Sequence, residues 1–237
     1  MKRGRNATAW ILLLVLAFPL VMFFFLYYFT EQNFDSVPFQ YDLVENGDTV
    51  YHRMPDGILF TDLEGNQFLS EDLAGNLVFV DFFTVREDSQ KLTTVLHGNL
   101  ERTYRNVLWE RDPAIRFLSV STGDDPEELR AHAEALGAVS PGWRMVTVSQ
   151  EDLYRMGEAF QIPAFGRRKA GDPAFTSQTV TYLDKSGRVR NYYTGTDLQE
   201  ERKIQEDIVT LFRLEYPDDL AAMREDKGGF FKALQGK

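Results

Sequence analysis

The chain has 237 residues, enough for one ordinary domain with additions, and it contains no cysteine. The lack of cysteine excludes disulfide bonds, thiol redox chemistry and thiolate metal ligands. Its 36 acidic residues outnumber its 26 basic residues, which gives a net charge of −10 and argues against nucleic acid as a partner, because nucleic-acid binding needs a basic surface.

An uncharged apolar segment of 20 residues, 10–29, lies near the N-terminus. As a helix it would be about 30 Å long, which matches the hydrocarbon core of one bilayer. A cleaved signal peptide is the alternative, but the apolar run is longer than usual and no A-x-A-like cleavage site follows it. We therefore predict a cytoplasmic N-terminus over residues 1–8, a transmembrane helix over 9–30 that anchors the chain in the lipid bilayer, and a linker over 31–36.

The charges on either side of this segment predict its orientation. Lys2, Arg3 and Arg5 precede it, and the first acidic residue, Glu31, follows it. Since basic residues favour the cytoplasmic side, the large domain is expected outside. Without those three basic residues the counts are 23 and 36, so this domain carries a net charge of −13. We predict a single-pass protein of a bacterial inner membrane with a periplasmic C-terminal domain.

The segment 77–83 is apolar except for Asp81, which predicts a central strand covered on both faces. A polar turn follows, and then apolar residues recur every four positions, a pattern typical of an amphipathic helix over residues 89–108. These residues are Leu92, Leu96, Leu100, Tyr104 and Leu108. A strand that leads through a polar turn into a helix is a common location for functional residues in α/β proteins.

Turn signals and periodicity predict the remaining elements. Hairpins are expected over residues 40–53 and 58–69, strands over 116–121 and 144–148, and a final hairpin over 179–193. Asp125 and Ser149 are candidate N-caps of two helices, and residues 196–199 are expected to cap a last helix that Pro217 ends. Residues 217–237 read as a polar C-terminal tail.

The frame Phe82-Phe83-Thr84 before the turn and Leu92-Thr93 after it resembles the active-site region of the SCO/SenC family, which comprises membrane-anchored copper chaperones of cytochrome c oxidase assembly. The resemblance covers about residues 60–216. It implies an α/β, thioredoxin-like fold, a central mixed sheet flanked by helices, over residues 37–216.

The same resemblance implies that the copper ligands of the family are missing. Arg86 and Gln90 stand where the family has two cysteines, and Ser177 stands where it has a histidine. None of these is a soft ligand, and Arg86 would repel a metal ion. We therefore expect no cofactor and no metal at these positions, and no enzymatic activity.

Other residues offer little catalytic chemistry. Asp81 is a single carboxylate, which by itself does not support a catalytic mechanism, and we interpret it as a hydrogen-bonded structural residue. His97 and His132 are interpreted as surface or packing residues. His52 and Met54 lie two apart on one predicted strand face and could touch Cu(I), but a third ligand is lacking. Ser89 and Ser177 have no histidine base nearby in the predicted fold.

Two functions remain open. The first is a non-catalytic accessory or assembly factor, or a subunit, of a respiratory cytochrome c oxidase or related membrane complex. The second is a copper chaperone for that oxidase with noncanonical ligands. For the first, Arg86 and Lys91 together with the basic run Arg167-Arg168-Lys169 are candidate partner-binding residues, because the resemblance implies that their two segments lie close together.

Overall fold

The computed structural model describes residues 37–43, 47–86, 88–107, 115–136, 142–169, 171–172 and 174–218, together with 15, 17–19 and 21–23. The chain forms two compact units, residues 1–35 and 36–237. In the first unit the described residues are helical. Most of the predicted transmembrane helix lies outside the described residues, and among those described no helix is long and apolar enough to cross a membrane. The anchor therefore stays a prediction, as do the tail beyond 218 and the domain boundaries.

The second unit contains a two-stranded and a seven-stranded sheet. The small sheet pairs β1, Tyr41–Leu43, with β2, Thr49–Tyr51. The large sheet has the strand order β4-β3-β7-β6-β5-β8-β9. Its strands are β3 Leu59–Asp62, β4 Gln67–Leu69, β5 Leu77–Phe83, β6 Ile115–Ser121, β7 Trp143–Thr147, β8 Thr179–Leu183 and β9 Val189–Thr194. The central strands β5, β6 and β7 are parallel, whereas β3 and β8 join them antiparallel.

Strand β5 lies at the centre of the molecule, and all seven of its residues are buried. It pairs with β6 on one side and β8 on the other, so both of its edges are satisfied by hydrogen bonds. Since side chains alternate along a strand, Leu77, Phe79, Asp81 and Phe83 point to one face of the sheet, and Val78, Val80 and Phe82 point to the other.

Four α-helices of the described part of the chain cover these two faces. They are α1 Gln90–Val107, α2 Pro126–Leu136, α3 Gln150–Ala159 and α4 Glu200–Leu214. Helices α1, α2 and α4 pack on the face that holds Phe79 and Phe83, which we call the α1 face. Helix α3 packs on the opposite face with Val80 and Phe82, which we call the α3 face. The sheet is therefore buried between two helical layers, as expected for an α/β domain.

At all three helices whose caps were predicted, the cap lies within the predicted residues. Ser149 accepts a hydrogen bond from the Asp152 amide at 3.0 Å, and Asp125 accepts one from the Glu127 amide at 2.8 Å. At α4 the N-cap is Gln199, which makes no side-chain capping bond. Asp197 accepts from the Gln199 amide instead, because its carboxylate lies two residues upstream in an Asx-turn geometry. Helix α4 ends at Leu214, before Pro217.

A buried arginine joins the start of this unit to the residue that follows helix α4. Arg190 on β9 is fully buried, and its Nε donates to the carbonyl of Val37 at 3.0 Å. Its Nη1 donates to the carboxylate of Glu215, just after α4, at 2.6 Å. Asp184, 3.5 Å from Nη1, contributes a second negative charge. The buried guanidinium is thus paired, which offsets the cost of removing it from water.

Candidate functional site

The turn after β5 carries two of the three positions where the resemblance places copper ligands. Arg86 is exposed, and its guanidinium donates to the carbonyl of Gly123 at 3.2 Å. Gln90 is exposed at the first position of α1. Both side chains therefore lie at the surface of the turn.

The third position lies against the same turn. Ser177 is buried, and its amide donates to the carbonyl of Phe82 at 2.8 Å. Its hydroxyl oxygen accepts a hydrogen bond from the Thr179 amide at 3.1 Å, so it serves the entry into β8. The segment before the final hairpin thus does lie beside the end of β5, as the resemblance implies.

Threonine side chains connect these segments. The Thr84 amide donates to Thr176 Oγ1 at 3.1 Å, and the hydroxyls of Thr93 and Thr176 are 2.6 Å apart. Thr93 also donates to the carbonyl of Thr84 at 2.6 Å. These bonds tie the turn after β5, the first turn of α1 and the segment before β8 to one another.

Asp124 joins the loop after β6 to the same turn. Its carboxylate accepts hydrogen bonds from the Thr84 hydroxyl, from the Val85 amide at 3.2 Å and from the Ser121 hydroxyl at 2.8 Å. A carboxylate with three donors is well satisfied and holds both loops in place. We call Thr84, Thr93, Asp124 and Thr176 the loop network.

The candidate partner-binding cations lie on two parts of the chain: Arg86 and Lys91 are on segments that the network joins, and the run 167–169 is on the loop that precedes Phe175. Lys91, Arg167 and Lys169 are exposed, like Arg86. The guanidinium of Arg168 lies 4.2 Å from the centre of the Phe175 ring, and the Tyr154 hydroxyl donates to the Lys169 carbonyl. Because Phe175 directly precedes Thr176, the basic run is connected through it to the turn that carries Arg86. Binding by these five residues stays a prediction.

A second polar cluster is buried beneath the site, on the α1 face. Asp81 Oδ2 lies 3.1 Å from His97 Nε2, and His97 Nδ1 lies 2.8 Å from His132 Nε2. The Ser119 hydroxyl donates to Asp81 Oδ1 at 2.6 Å and accepts from Trp143 Nε1 at 2.9 Å. We call these five residues the buried relay.

Of the surface and packing roles that we predicted for the two histidines, the structure supports packing, since both rings lie against Phe83. His97 has no exposed surface and His132 is only partly exposed, so neither is an ordinary surface residue. Asp81 is hydrogen-bonded, in agreement with its predicted structural role. A signal for His97 was available, because it falls on the inner stripe of α1 with Thr93, Leu96 and Leu100, all of which are buried.

Burial makes His132 a weak base. The pKa of His132 is about 4 because burial and, to a smaller extent, the neighbouring His97 lower it by more than Asp124 and Asp81 raise it. His132 is therefore neutral at pH 7. No serine or threonine hydroxyl contacts either histidine among the hydrogen bonds of the described residues, so the relay lacks a nucleophile to activate.

The donor set at the family positions does not fit copper. A guanidinium, an amide and a hydroxyl that already accepts a backbone hydrogen bond provide no soft ligand. Within the described part of the chain, no group of three histidine, aspartate or glutamate side chains is arranged to hold a metal ion.

The alternative His52–Met54 pair is also engaged elsewhere. His52 Nδ1 lies 3.1 Å from the Tyr192 hydroxyl, and Nε2 lies 3.2 Å from the Asp42 carboxylate. Met54 is buried in the core of the α3 face. Both residues follow β2, which ends at Tyr51, rather than lying inside a strand.

No protein-family model and no curated protein matches this chain. Solved structures do. A SCO1/SenC family lipoprotein from Bacillus anthracis str. Ames aligns with a TM-score of 0.56 and 22% identity over 68% of this chain and 96% of that protein. BsSco, a member of the Sco family of cytochrome c oxidase assembly proteins, aligns with a TM-score of 0.51 and 16% identity over 71% and 98%.

A protein from Aquifex aeolicus VF5, named for electron transfer, gives a TM-score of 0.54 and 16% identity over 65% of this chain and 90% of that one. These matches confirm the thioredoxin-like α/β fold with a central mixed sheet. The resemblance to SCO/SenC proteins is thereby confirmed at the level of the fold.

Proposed function

We propose that this protein is a membrane-anchored, SCO-like accessory or assembly factor of a respiratory cytochrome c oxidase or a related complex, and that it works without copper, redox or catalytic chemistry. The proposal places it in a bacterial inner membrane through one N-terminal helix, with the thioredoxin-like domain in the periplasm. The membrane complex is its partner, and residues 9–30 are its contact with lipid.

One observation carries the proposal. The positions where the family has its copper ligands hold the guanidinium of Arg86, the amide of Gln90 and the hydroxyl of Ser177, and none of these is a soft ligand. The loop network still ties the turn after β5 to the segment before β8, so the scaffold around these positions is kept. The proposed function is then that of a membrane-anchored domain that binds a partner through its surface.

The copper-free part is tested by anaerobic Cu(I) titration of the purified full-length chain against a competing chromophoric chelator. We expect no stoichiometric removal of copper from the chelator. The matched control is the triple variant Arg86→Cys, Gln90→Cys and Ser177→His, which supplies two thiolates and an imidazole at the same positions. Tight, stoichiometric binding by the unmodified chain would support the noncanonical chaperone instead.

The assembly part is tested by affinity capture of the full-length chain from detergent-solubilised membranes of its own cell, followed by mass spectrometry. Enrichment of cytochrome c oxidase subunits over other inner-membrane complexes is the expected result. Enrichment of an unrelated complex, or of none, would contradict an oxidase role without affecting the copper result.

We further propose that Arg86, Lys91, Arg167, Arg168 and Lys169 form the surface that meets this partner. Four of them are exposed on a domain of net charge −13, and Arg86 and Lys91 lie on segments that the loop network joins, so they favour an acidic partner surface. Arg168 also packs on Phe175, so it has a structural role as well.

The sharpest test therefore reverses only the exposed charges Arg167 and Lys169, each to Glu. Capture of the partner should weaken, most clearly at low salt, because charge of this kind acts mainly on the association rate. The matched control is the reversal of two exposed cations on helices α1 and α4, Arg102→Glu and Arg202→Glu. Equal capture by both variants at every salt concentration would rule the surface out.

A further inference from the structure

The buried relay crosses from the interior of the sheet to helix α2, and the proposed function uses none of it. It begins at Trp143 on β7, passes through Ser119 on β6 and Asp81 on β5, and reaches His97 on α1 and His132 on α2. Five elements therefore meet in one line of hydrogen bonds. Only His132, at the end of the line, is partly exposed to solvent.

The positions of the protons follow from which atoms can donate. The Asp81 carboxylate only accepts, so His97 Nε2 carries a hydrogen. The other nitrogen of a neutral His97 is then an acceptor, and the 2.8 Å contact requires His132 Nε2 to carry the hydrogen of that bond. His132 Nδ1 is left with a lone pair, which makes it the entry point for a proton from solvent.

Acid changes this line in two steps. One added proton leaves an N–H···N bond between the two rings, and the adjacent Asp81 carboxylate offsets the new charge. A second proton places a hydrogen on both facing nitrogens, so the bond between the rings is lost and two positive charges face each other. The ring-to-ring bond thus exists only while at most one proton is added.

The surroundings of the two rings decide how readily this happens. The ionisable groups that face them are Asp81 on β5 and Asp124 in the loop before α2, whereas β6 and β7 present Ser119 and Trp143, which do not ionise. Burial, together with repulsion from His97, lowers the pKa of His132 to about 4. That repulsion arises when both rings carry an added proton, so the doubly protonated pair forms only in acid and the bond is kept at neutral pH.

We propose that Asp81, His97 and His132 form an acid-sensitive latch, which holds helix α2 on helix α1 at neutral pH and releases it when a second proton enters. The bond joins the two helices directly, since His97 lies on α1 and His132 on α2. Release reaches the surface because Asp124 lies just before α2 and holds Thr84 and Val85. The latch would thereby couple acidity to the loop network.

The test is hydrogen exchange of the full-length chain, measured by mass spectrometry at pH 7 and pH 4 and corrected for intrinsic exchange rates. Protection of residues 121–136 should fall by at least about tenfold at pH 4, while α3 on the opposite face keeps its protection. In His132→Gln the side-chain amide can donate to His97 Nδ1 but takes up no proton, so this fall should be absent.

If the wild type and His132→Gln lose the same protection between pH 7 and pH 4, the latch is wrong. It is also wrong if helices α2 and α3 of the wild type lose the same protection. A measurement on the unmodified chain covers the case in which the variant fails to fold. Nitrogen-15 NMR of labelled histidines at pH 7 should show the Nε2–H tautomer for both His97 and His132. The Nδ1–H tautomer at His132 would contradict the proton positions on which the latch depends.

Discussion

Strand β5 offers two neighbouring positions with opposite surroundings. Asp81 points to the α1 face, where Ser119 and His97 donate to its two carboxylate oxygens. Val80 points to the α3 face, whose buried cluster is apolar, and its cross-strand partner on β8 is Thr181, a fully buried residue with a single hydroxyl. A buried carboxylate is therefore tolerated at position 81, where four other elements supply its partners directly or through one another, whereas position 80 has one hydroxyl opposite it.

The largest effect is expected from placing a carboxylate on the α3 face. Val80→Asp buries a charge with only the Thr181 hydroxyl opposite it on β8 and should lower the free energy of unfolding by about 4 kcal/mol, as for other poorly compensated buried charges. Denaturant unfolding of the purified chain measures this. Val80→Ala is the matched control, with an expected loss of about 2 kcal/mol from the cavity alone. If both variants lose the same free energy of unfolding, the side chain at position 80 is accessible to water.

Removing the partner of Asp81 tests the α1 face. His97→Leu leaves the buried carboxylate with Ser119 as its remaining side-chain donor and should cost about 3 kcal/mol. The double variant Asp81→Leu/His97→Leu removes the charge as well, so it should be more stable than His97→Leu alone. If the double variant loses as much free energy of unfolding as Asp81→Leu and His97→Leu lose together, the two side chains do not interact.

A glycine on α3 tests how closely the α3 face is packed. A Cβ atom built on Gly157 would lie 2.2 Å from Cγ of Phe165, so Gly157→Ala should cost about 2 kcal/mol through overpacking. Gly98, inside α1, has nothing within 4 Å of such an atom. Gly98→Ala is thus the control and should stabilise the protein by about 0.5 kcal/mol. The same sign of effect at both positions would contradict the close contact with Phe165.

The smallest effect concerns pH. The pKa of His132 is about 4 in the folded chain, against an ordinary value of 6.5, so the folded state disfavours the charged form. Above pH 6.5, His132 is neutral in both the folded and the unfolded chain and costs no stability. As the pH falls from 6.5 to 4, the unfolded chain takes up a proton at His132 that the folded chain resists, so the free energy of unfolding decreases. Allowing for the partial exposure of the ring, we expect a loss of about 1.5 kcal/mol.

His132→Gln should remove this share of the acid sensitivity and leave the share due to carboxylates. The comparison is made on chemical unfolding at pH 7, 5.5 and 4.5 for both proteins. Parallel stability curves would mean that His132 does not titrate on unfolding.

Much of the fold could be predicted from local patterns. The apolar run at 77–83 predicted β5 with its observed bounds, and the four-residue repeat after it predicted α1 to within one residue at its start. These patterns show which residues are buried, and the spacing of buried residues distinguishes a strand from a helix. The order of the strands was not predicted, since the resemblance implied only a central mixed sheet flanked by helices.

The buried relay could not be predicted in this way. Asp81 and His97 are 16 residues apart, and His97 and His132 are 35 apart, so each bond depends on tertiary packing. A single polar residue in an apolar strand signals that partners exist but does not identify them. The loop network was missed for the same reason, since Thr84 and Thr176 are 92 residues apart and threonine is unremarkable in either segment.

The hydrogen bonds of Arg190 make the domain suitable for circular permutation. One guanidinium contacts both the Val37 carbonyl and the Glu215 carboxylate, so the first and last parts of the domain lie within the width of a single side chain. A short flexible peptide could join them without altering the sheet, and new ends could be opened in the exposed turn at Gly65 and Asn66. The sheet would then be a natural host for circular permutation, with Arg190 holding the new junction in place.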